Sequence, residues 1–352
     1  MILLDLFSGI GGFHRGLSDA GFHFDKVYYS EIDKHAIANY KFNYEKAIHI
    51  GAVESVLTSG IERPNIITFG SPCQDFSIAG KRAGMDGERS SLIQEAIAIV
   101  AHFRPDIYIW ENVEGVFSSN NSEDFWGIIK AFANIGGYQT EWQLVNTSWF
   151  LPQNRKRVFL VGRIAEQCTG EIFPLGEDEE IYPQKNTRQK LSLSANNVAC
   201  TLKASDGCIS PDMNYVIQNK HGFNKGGIKE IATTIIASHS WEQKNMIISY
   251  TRDKTGKEIN YHTKDVSNTL HSHSSGNTSQ YILENSTIRT FTDIERERLQ
   301  GYPDDFTKYG NYDGIVKEIA HQNRAKLTGN SVTVKVVEEI GKKILKNTIL
   351  TN

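Results

Sequence analysis

The chain has 352 residues, a length that allows a large core and predicts two domains. Its 38 Lys and Arg residues nearly balance its 41 Asp and Glu residues, for a formal net charge of −3. No apolar run reaches the roughly 18 residues of a membrane span, and the amino terminus turns polar too early for a signal peptide. The four cysteines are scattered without a Cys-x-x-Cys pair, so we expect no metal site, no disulfide framework and a cytoplasmic protein.

The charge is distributed unevenly along the chain. Residues 1–184 carry 15 Lys and Arg residues against 24 Asp and Glu residues, a net charge of −9. Residues 185–285 carry 12 against 8, a net charge of +4, and residues 286–352 carry 11 against 9. Because a polyanion is attracted to excess positive charge, we expect such a partner to bind the second half of the chain.

The first 165 residues alternate short apolar runs with stretches of helical periodicity. Strands that alternate with helices predict a mainly parallel sheet covered on both faces, and ligands bind such sheets at the carboxyl ends of the strands. Strands are predicted at residues 2–7, 26–30, 47–50, 65–70, 106–110, 138–145 and 158–162, with helices at 14–20, 34–42, 91–103 and 125–134.

The composition changes near residue 175. Residues 176–180 form an acidic stretch that predicts a solvated linker, and the next hundred residues are rich in Ser, Asn, Thr and His. A segment that begins at Val198 recurs twice, at spacings of 33 and 35 residues, and predicts three stacked strand–loop–strand units. Coincidence among Thr-rich strands is the alternative. Residues 333–345 predict an amphipathic closing helix.

A glycine-rich turn follows the first predicted strand, in Asp5-Leu6-Phe7-Ser8-Gly9-Ile10-Gly11-Gly12. Glycines there let the backbone approach a ligand that side chains would keep away. Glu31 follows the second strand, where an acidic residue reaches a ribose hydroxyl in nucleotide-binding sheets. This pattern fits a dinucleotide-binding dehydrogenase and an S-adenosylmethionine enzyme about equally, and the compressed glycine spacing favours a cofactor without a diphosphate.

Cys73 stands in Gly70-Ser71-Pro72-Cys73-Gln74, directly after a predicted buried strand. A thiol held by a proline and followed by a glycine-containing stretch at residues 79–87 has the placement of a nucleophile under a mobile loop. A small buried apolar cysteine is the alternative. Later blocks favour the nucleophile: Glu111-Asn112-Val113, Gln153-Asn154-Arg155-Lys156-Arg157, Arg298-Leu299-Gln300-Gly301-Tyr302-Pro303 and Gly329-Asn330-Ser331-Val332.

These blocks, in this order, closely resemble the DNA (cytosine-5)-methyltransferases, especially the bacterial enzymes of restriction–modification systems. The match is dense over residues 1–165 and 286–345, whereas 185–285 match no motif, as expected of the family's variable target-recognition region. The resemblance implies an α/β fold with a Rossmann-like mixed sheet that binds S-adenosylmethionine and a second, smaller target-recognition domain. The implied domains are residues 1–184 (catalytic), 185–328 (target recognition) and 329–352 (a helix returning to the catalytic domain).

The resemblance also implies the roles of the catalytic residues. Cys73 would add as a thiolate to carbon 6 of cytosine, because carbon 5 is a poor nucleophile until the ring is activated. Glu111 would stabilise the ring at nitrogen 3. By the resemblance, Arg157 would hold the base oxygen and backbone, with Arg155 beside it on phosphate. Alternation separately predicts that both arginines lie on one face of an extended segment. The reacting carbons lie inside the duplex stack, so the base must be flipped out.

The implied cofactor contacts come from the turn, from the end of the second strand and from later segments. Phe7 and Ile32 would lie against adenine, and Glu31 would bind the ribose hydroxyls. The implied S-adenosylmethionine-binding residues are Phe7, Ser8, Gly9, Gly11, Gly12, Glu31, Ile32, Pro72, Leu92, Asn330 and Ser331. The implied substrate-binding residues are Gln74, Ser77, Lys81, Arg89 and Gln153.

One position departs from the family pattern. The family usually carries an aspartate after the glycine of the third strand, where it reaches the adenine amino group, and here Gly51 is followed by Ala52. Loss of one hydrogen bond of about 1 kcal/mol should weaken cofactor binding several-fold without abolishing it. Glu54 is a candidate substitute.

The implied partner is double-stranded DNA, with a cognate restriction endonuclease as a second partner in such systems. One flipped base in one asymmetric cleft needs no two-fold symmetry, so we expect a monomer. Three alternatives are a tRNA cytosine-5 methyltransferase, a DNA-binding regulator with impaired catalysis, and a nicotinamide oxidoreductase. The tRNA enzymes lack such a long recognition region, and a regulator would have lost Cys73 or Glu111. A nicotinamide oxidoreductase accounts for the pattern of the first 35 residues only.

Overall fold

The computed structural model describes the side chains of residues 1–71, 92–117, 123–176 and 291–350. It also describes the backbone of residues 90 and 91 and of six short strands between residues 202 and 289. Within this described part of the chain, no helix combines the length and the apolar character that crossing a membrane requires.

Strands and helices alternate through the first 164 residues, as the hydrophobic pattern predicts. Every strand and helix expected in this part is present, and the ends differ from the expected ones by at most three residues. The elements are β1 (Ile2–Leu6), α1 (Gly12–Ala20), β2 (Lys26–Ser30), α2 (Lys34–Asn43), β3 (Ile48–His49), β4 (Ile66–Gly70), α3 (Ser90–Phe103), β5 (Ile107–Val113), α4 (Glu123–Ile135), β6 (Tyr138–Asn146), β7 (Gln153–Asn154) and β8 (Lys156–Ile164).

Six strands are described between residues 202 and 289. They are β9 (Leu202–Lys203), β10 (Met246–Arg252), β11 (Glu258–Lys264), β12 (Ser267–Asn268), β13 (Gln280–Glu284) and β14 (Thr287–Arg289). Four of them form an antiparallel sheet in the order β11-β10-β13-β14, while β12 pairs with β7. Leu202, the last residue of the first repeat copy, lies in β9, whereas the copy that begins at Ile231 lies outside the described residues, so the stack of three units stays a prediction.

The chain is helical again from residue 293. Thr292 begins the first of these helices with a capping box: its hydroxyl accepts from the Glu295 main-chain N–H, and the Glu295 carboxylate accepts from the Thr292 N–H. Gly301 ends the helix in the left-handed conformation, with φ of 82°. The elements are α5 (Asp293–Gln300), β15 (Tyr309–Tyr312), β16 (Ile315–Glu318), α6 (His321–Asn330) and α7 (Val334–Asn347).

The segment between α5 and α7 packs against the amino-terminal part of the chain. Tyr302 and Leu327 are buried in one apolar cluster with Ile10 of the glycine-rich turn and Ala36 of α2. Residues before 329 therefore already pack against the amino-terminal part of the chain. The sequence predicts a domain boundary at residue 329. The division of the chain into domains stays a prediction.

Seven strands form the central mixed sheet in the order β3-β2-β1-β4-β5-β8-β6, and β9 pairs at its outer edge. The first five run parallel, and β8 runs antiparallel to both β5 and β6. Gly70 pairs with Glu111, so the carboxyl ends of β4 and β5 meet at one edge. Because β8 runs the other way, it brings its first residues to the same edge, where Arg157 pairs with Val113.

Helices cover both faces of this sheet, because alternate residues of each buried strand point to opposite sides. Leu4 and Leu6 of β1 lie in the apolar layer that includes α3 and α4, while Leu3 lies in the layer that includes α1 and α7. The two helices of the second layer approach closely at Gly16, where an added Cβ would lie 2.6 Å from the Cβ of Val337. A glycine is therefore required for this contact.

Gly16→Ala should lower the free energy of unfolding by about 1–3 kcal/mol, because the added methyl group has no room between α1 and α7. The matched control is Gly127→Ala in α4. No described atom lies within 4 Å of that Cβ position, and alanine favours a helix over glycine by up to about 1 kcal/mol. Urea unfolding of both variants measures the difference, and equal stabilities would contradict the close contact.

Candidate active site

The glycine-rich turn joins β1 to α1 at the carboxyl edge of the sheet. Phe7, Gly9 and Gly11 adopt positive φ angles of 51°, 54° and 81°. At Gly11 a side chain is also excluded by space, since an added Cβ would lie 2.8 Å from the Tyr44 ring. At Gly9 no described atom lies within 4 Å of the corresponding position. The turn is therefore packed on one side and open on the other.

Glu31 follows β2 and faces this turn. Its Oε2 accepts a hydrogen bond from the Gly9 N–H at 2.8 Å. Its Oε1 accepts from the main-chain N–H groups of Ile32, at 2.7 Å, and Asp33, at 2.8 Å. A carboxylate has about four acceptor sites, so three main-chain donors orient Glu31 and leave capacity for a ligand hydroxyl.

The side chains around the turn fit a cofactor that carries a nucleoside. Ile32 is 80% exposed, which leaves a large aliphatic surface beside the oriented carboxylate for an apolar base. The hydroxyl of Ser8 is buried, and no described residue is its hydrogen-bond partner. Beside the open space at Gly9, Ile32 thus offers an apolar contact and Glu31 an acceptor, while the Ser8 hydroxyl lies buried within the turn itself.

The later residues of the expected cofactor site differ in exposure. Leu92 is half-buried against the core, and Asn330 is exposed. Ser331 is buried, with its Oγ 2.6 Å from the Tyr302 hydroxyl. An added Cβ at Gly12 would lie 2.9 Å from that Oγ, so the fold brings Gly12 and Ser331 together from opposite ends of the chain.

Ala52 lies next to Glu31 in the structure, because the Glu31 N–H donates to the carbonyl of Gly51 at 3.2 Å. It precedes the 3₁₀ turn Val53–Thr58 and provides no side-chain cap for it. Glu54, the candidate substitute, is exposed on the same turn. The carboxylate that the family usually carries is thus missing from a position beside the expected ribose contact.

Glu111 and Arg157 meet at the carboxyl edge as an ion pair. Arg157 Nε lies 2.9 Å from Glu111 Oε1, and the two side chains are only 15% and 13% exposed. Gly70 makes room for this carboxylate, since an added Cβ would lie 3.1 Å from Glu111 Oε2. Ser71, the last described residue before Cys73, accepts hydrogen bonds from Trp110 Nε1 and Asn112 Nδ2. The end of β4 is therefore fixed beside the ion pair.

Arg155 lies between β7 and β8 and is only 3% exposed. Its guanidinium donates to the main-chain carbonyls of Gly329, at 3.2 Å, and Ser331, at 2.8 Å. Arg155 and Arg157 thus contact different parts of the molecule. The phosphate contact that the resemblance implies for Arg155 stays a prediction. Gln153 is fully buried, and its side-chain amide has no partner among the described residues.

The remaining expected site residues lie in a part of the chain that the structure does not describe. For these residues the sequence-based roles stay predictions. They are the nucleophile Cys73, the cofactor contact Pro72, and the substrate contacts Gln74, Ser77, Lys81 and Arg89.

Sequence reasoning missed an aromatic and polar cluster that supports the turn. His14 of α1 stacks on Tyr44, with ring centroids 4.1 Å apart, and its Nδ1 lies 3.0 Å from the Tyr40 hydroxyl. Tyr40 in turn stacks on Tyr29 of β2 at 4.0 Å. Asp5, fully buried, accepts from Thr68 Oγ1, and burial raises its pKa well above the usual value. The one signal of this cluster in the sequence is Asp5, an acidic residue inside an apolar strand.

A sheet of this order, with a glycine-rich turn and an oriented acidic residue at its carboxyl edge, belongs to the cofactor-dependent α/β enzymes. The family model described as C-5 cytosine-specific DNA methylase matches residues 1–346. The chain belongs to this family. It is a DNA (cytosine-5)-methyltransferase, and its cofactor is S-adenosylmethionine.

Two bacterial relatives align with nearly the whole chain. The Type II methyltransferase M.Bsp6I of Bacillus sp. (strain RFL6) is 27% identical over 349 residues, which are 98% of each chain. The Type II methyltransferase M.NgoFVII of Neisseria gonorrhoeae is 29% identical, over 97% of this chain and 86% of that protein. Among solved structures, the Dnmt2 methyltransferase of S. pombe shares the fold, with a TM-score of 0.56 and 17% identity over 98% of each chain.

The burial of His14 should make stability depend on pH. Burial lowers its pKa from 6.5 to about 4, so between these values the unfolded chain binds more protons than the folded one. The free energy of unfolding should therefore fall by up to about 3 kcal/mol as the pH is lowered from 6.5 toward 4. His14→Gln removes this titration, so urea unfolding should show the wild type losing stability relative to the variant over that window. A pH-independent difference would contradict the assignment.

Proposed function

We propose that this methyltransferase activates cytosine in duplex DNA through a covalent bond to Cys73, with Glu111 and Arg157 holding the ring. The observation that carries the proposal is the Glu111–Arg157 pair at 2.9 Å, beside the fixed end of β4. Cys73 follows Ser71 by two residues, so chain connectivity keeps their Cα atoms within about 7 Å of each other. A nucleophile, an acid and a guanidinium from three strand ends can thus converge on one base.

The proposed chemistry begins at the thiolate of Cys73. A bond forms between its sulfur and carbon 6, and the electrons of the double bond between carbons 5 and 6 move toward carbon 5 and the ring. The carboxyl group of Glu111 hydrogen-bonds ring nitrogen 3 and stabilises the charge that this addition creates. S-adenosylmethionine, when bound, supplies an electrophilic methyl group for carbon 5. S-adenosylhomocysteine is the leaving group of that transfer. Loss of the carbon 5 proton to a base from the solvent then restores the double bond between carbons 5 and 6, breaks the carbon–sulfur bond and releases the thiolate.

Arg157 has two proposed tasks at this site. Its guanidinium holds the Glu111 carboxyl group in one orientation, because a charge-assisted hydrogen bond in a half-buried site restricts the side chain. It would also hold the exocyclic oxygen of a flipped cytosine. The flipped base would be covered by the stretch that holds Ser77, Lys81 and Arg89, with Gln74 and Gln153 as further contacts.

The cofactor would be held by the glycine-rich turn and by Glu31. The open space at Gly9 admits the amino-acid part of the cofactor, and the three main-chain donors to Glu31 aim its free acceptor capacity at a ribose. The exposed face of Ile32 supports contact with adenine. Phe7, Leu92 and Asn330 complete the proposed site.

The biological setting is proposed from the relatives and from the charge pattern. Two relatives are named Type II methyltransferases, which supports a restriction–modification role with a partner endonuclease. The net charge of +4 on residues 185–285 supports contact of this region with DNA phosphates. We propose a monomeric, cytoplasmic enzyme, since one flipped base needs one cleft and the cysteines show no disulfide spacing.

Cys73→Ser should lower methyl transfer to duplex DNA at least about a thousandfold, because serine is not ionised at neutral pH. Labelled S-adenosylmethionine and mixed-sequence DNA measure the rate, and calorimetry should find the affinity for the cofactor unchanged. Glu111→Gln should lower the rate while leaving cofactor binding intact.

Substantial activity of Cys73→Ser would exclude the covalent route. Transfer of label to tRNA and not to duplex DNA would favour the tRNA enzyme, and an absence of cofactor binding by the wild type would favour the regulator. Bisulfite sequencing of DNA from the expressing host identifies the methylated sequence.

Ala52→Asp should tighten the binding of S-adenosylmethionine about fivefold, since a carboxylate there adds a hydrogen bond to the adenine amino group worth about 1 kcal/mol. Ala52→Asn provides a matched variant with nearly the same shape and no charge. Calorimetric titration measures both. Unchanged affinity of Ala52→Asp would mean that another group, such as Glu54, already fills this role.

A further inference from the structure

The segment from Gly329 to Thr333 comprises the last two residues of α6 and the three residues that join it to α7, and it contacts two parts of the proposed active site. On one side it packs against the glycine-rich turn that leads into α1. An added Cβ at Gly12 would lie 2.6 Å from Val332 Cγ1 and 2.9 Å from Ser331 Oγ. No larger residue fits at position 12 unless the segment moves, so the position of the turn and that of the segment depend on each other.

On its other side the same segment is tied to the strand that carries Arg157. Arg155 donates from Nη1 to the Gly329 carbonyl and from Nη2 to the Ser331 carbonyl. Thr147, just after β6, pairs its hydroxyl with that of Thr333 at 3.0 Å. Two residues after Arg155, Arg157 pairs with Glu111. One short stretch of chain thus fixes both the base-binding pair and the segment.

The chemistry of these contacts requires an arginine. Gly329 and Ser331 are buried at the end of α6 and just after it, and buried carbonyls without donors are costly. A guanidinium carries several N–H donors in a rigid planar fork, so it satisfies both carbonyls at once. A lysine ammonium has three donors on one atom of a flexible stem, so it does not reproduce the two separated N–H positions of the fork.

We propose that Arg155 is a positioning residue for cofactor binding: it holds the segment Gly329–Thr333 against the glycine-rich turn and thereby sets the affinity for S-adenosylmethionine. The inference rests on the proposed binding of the cofactor at this turn. Arg155 touches neither DNA nor the cofactor in this role. It acts through the main chain of the segment, and its charge stays inside the protein, only 3% exposed.

The test compares Arg155→Lys with Arg163→Lys. Arg163 is a matched control because it lies in β8, which begins directly after Arg155, is fully buried, and donates to the main-chain carbonyls of Gly170 and Asn347. It lies at the opposite end of β8, away from the turn. Calorimetry with S-adenosylmethionine should give a Kd about tenfold higher for Arg155→Lys and within twofold of wild type for Arg163→Lys. Both variants should melt at lower temperature.

A second measurement separates this role from a phosphate contact. Affinity for duplex DNA, measured over a range of salt concentrations, should keep its wild-type salt slope in Arg155→Lys. In steady-state methylation the KM for S-adenosylmethionine should rise while the KM for DNA stays constant. Weaker DNA binding in a neutral Arg155→Met variant, with a salt slope smaller by about one and an unchanged cofactor Kd, would overturn the proposal.

Two other outcomes would overturn the proposal. One is a lower melting temperature of Arg155→Lys with an unchanged cofactor Kd, and the other is an equal change of Kd in both lysine variants. Either would show that Arg155 has only a structural role. If Arg155→Lys does not fold, Thr147→Val removes the other tie and should raise the Kd about threefold; no change would overturn the proposal. Glu31→Gln in the same titration tests the site itself, since unchanged affinity there would place the cofactor elsewhere.

Discussion

The antiparallel pairing of β8 with β5 is the constraint on which the active site depends. Glu111 ends a strand that runs toward the carboxyl edge, and Arg157 begins one that runs away from it, so the two meet. A parallel β8 would place its first residues at the opposite edge, roughly 30 Å away for nine residues at about 3.3 Å each. The direction of one strand therefore decides whether the ion pair exists.

The stretch from Arg155 to Arg163, which includes most of β8, also anchors the closing helix α7 at both ends. Arg155 donates to the carbonyls of Gly329 and Ser331 just before the helix, and Arg163 donates to the carbonyl of Asn347 at its last residue. The last carbonyls of a helix lack partners within it and carry partial negative charge, so a buried guanidinium there is favourable. Glu141 compensates the charge of Arg163 at 2.5 Å. Helix α7 is thus held in register with β8.

Much of the fold follows from local patterns. Every expected strand and helix through residue 164 is present, because each is encoded by apolar periodicity over a few residues. The glycine-rich turn and Glu31 were also identified correctly as neighbours, since both follow parallel strands that end at one edge. Alternation within an extended segment predicted Arg155 and Arg157 on one face, whereas the structure has Arg155 between two strands and buried, with partners different from those of Arg157.

The sequence alone determined the element order, the turn, the acid that faces it and the family of the chain, because these depend on spacings within one or two elements. Only the tertiary structure decided that Arg157 reaches Glu111, that Arg155 turns inward to Gly329, and that His14 is enclosed by Tyr40 and Tyr44. The physical reason is that the residues of these contacts are far apart along the chain. The partners of Arg155 lie more than 170 residues away, and the hydrophobic periodicity of a sequence does not indicate which distant buried carbonyls a guanidinium will contact.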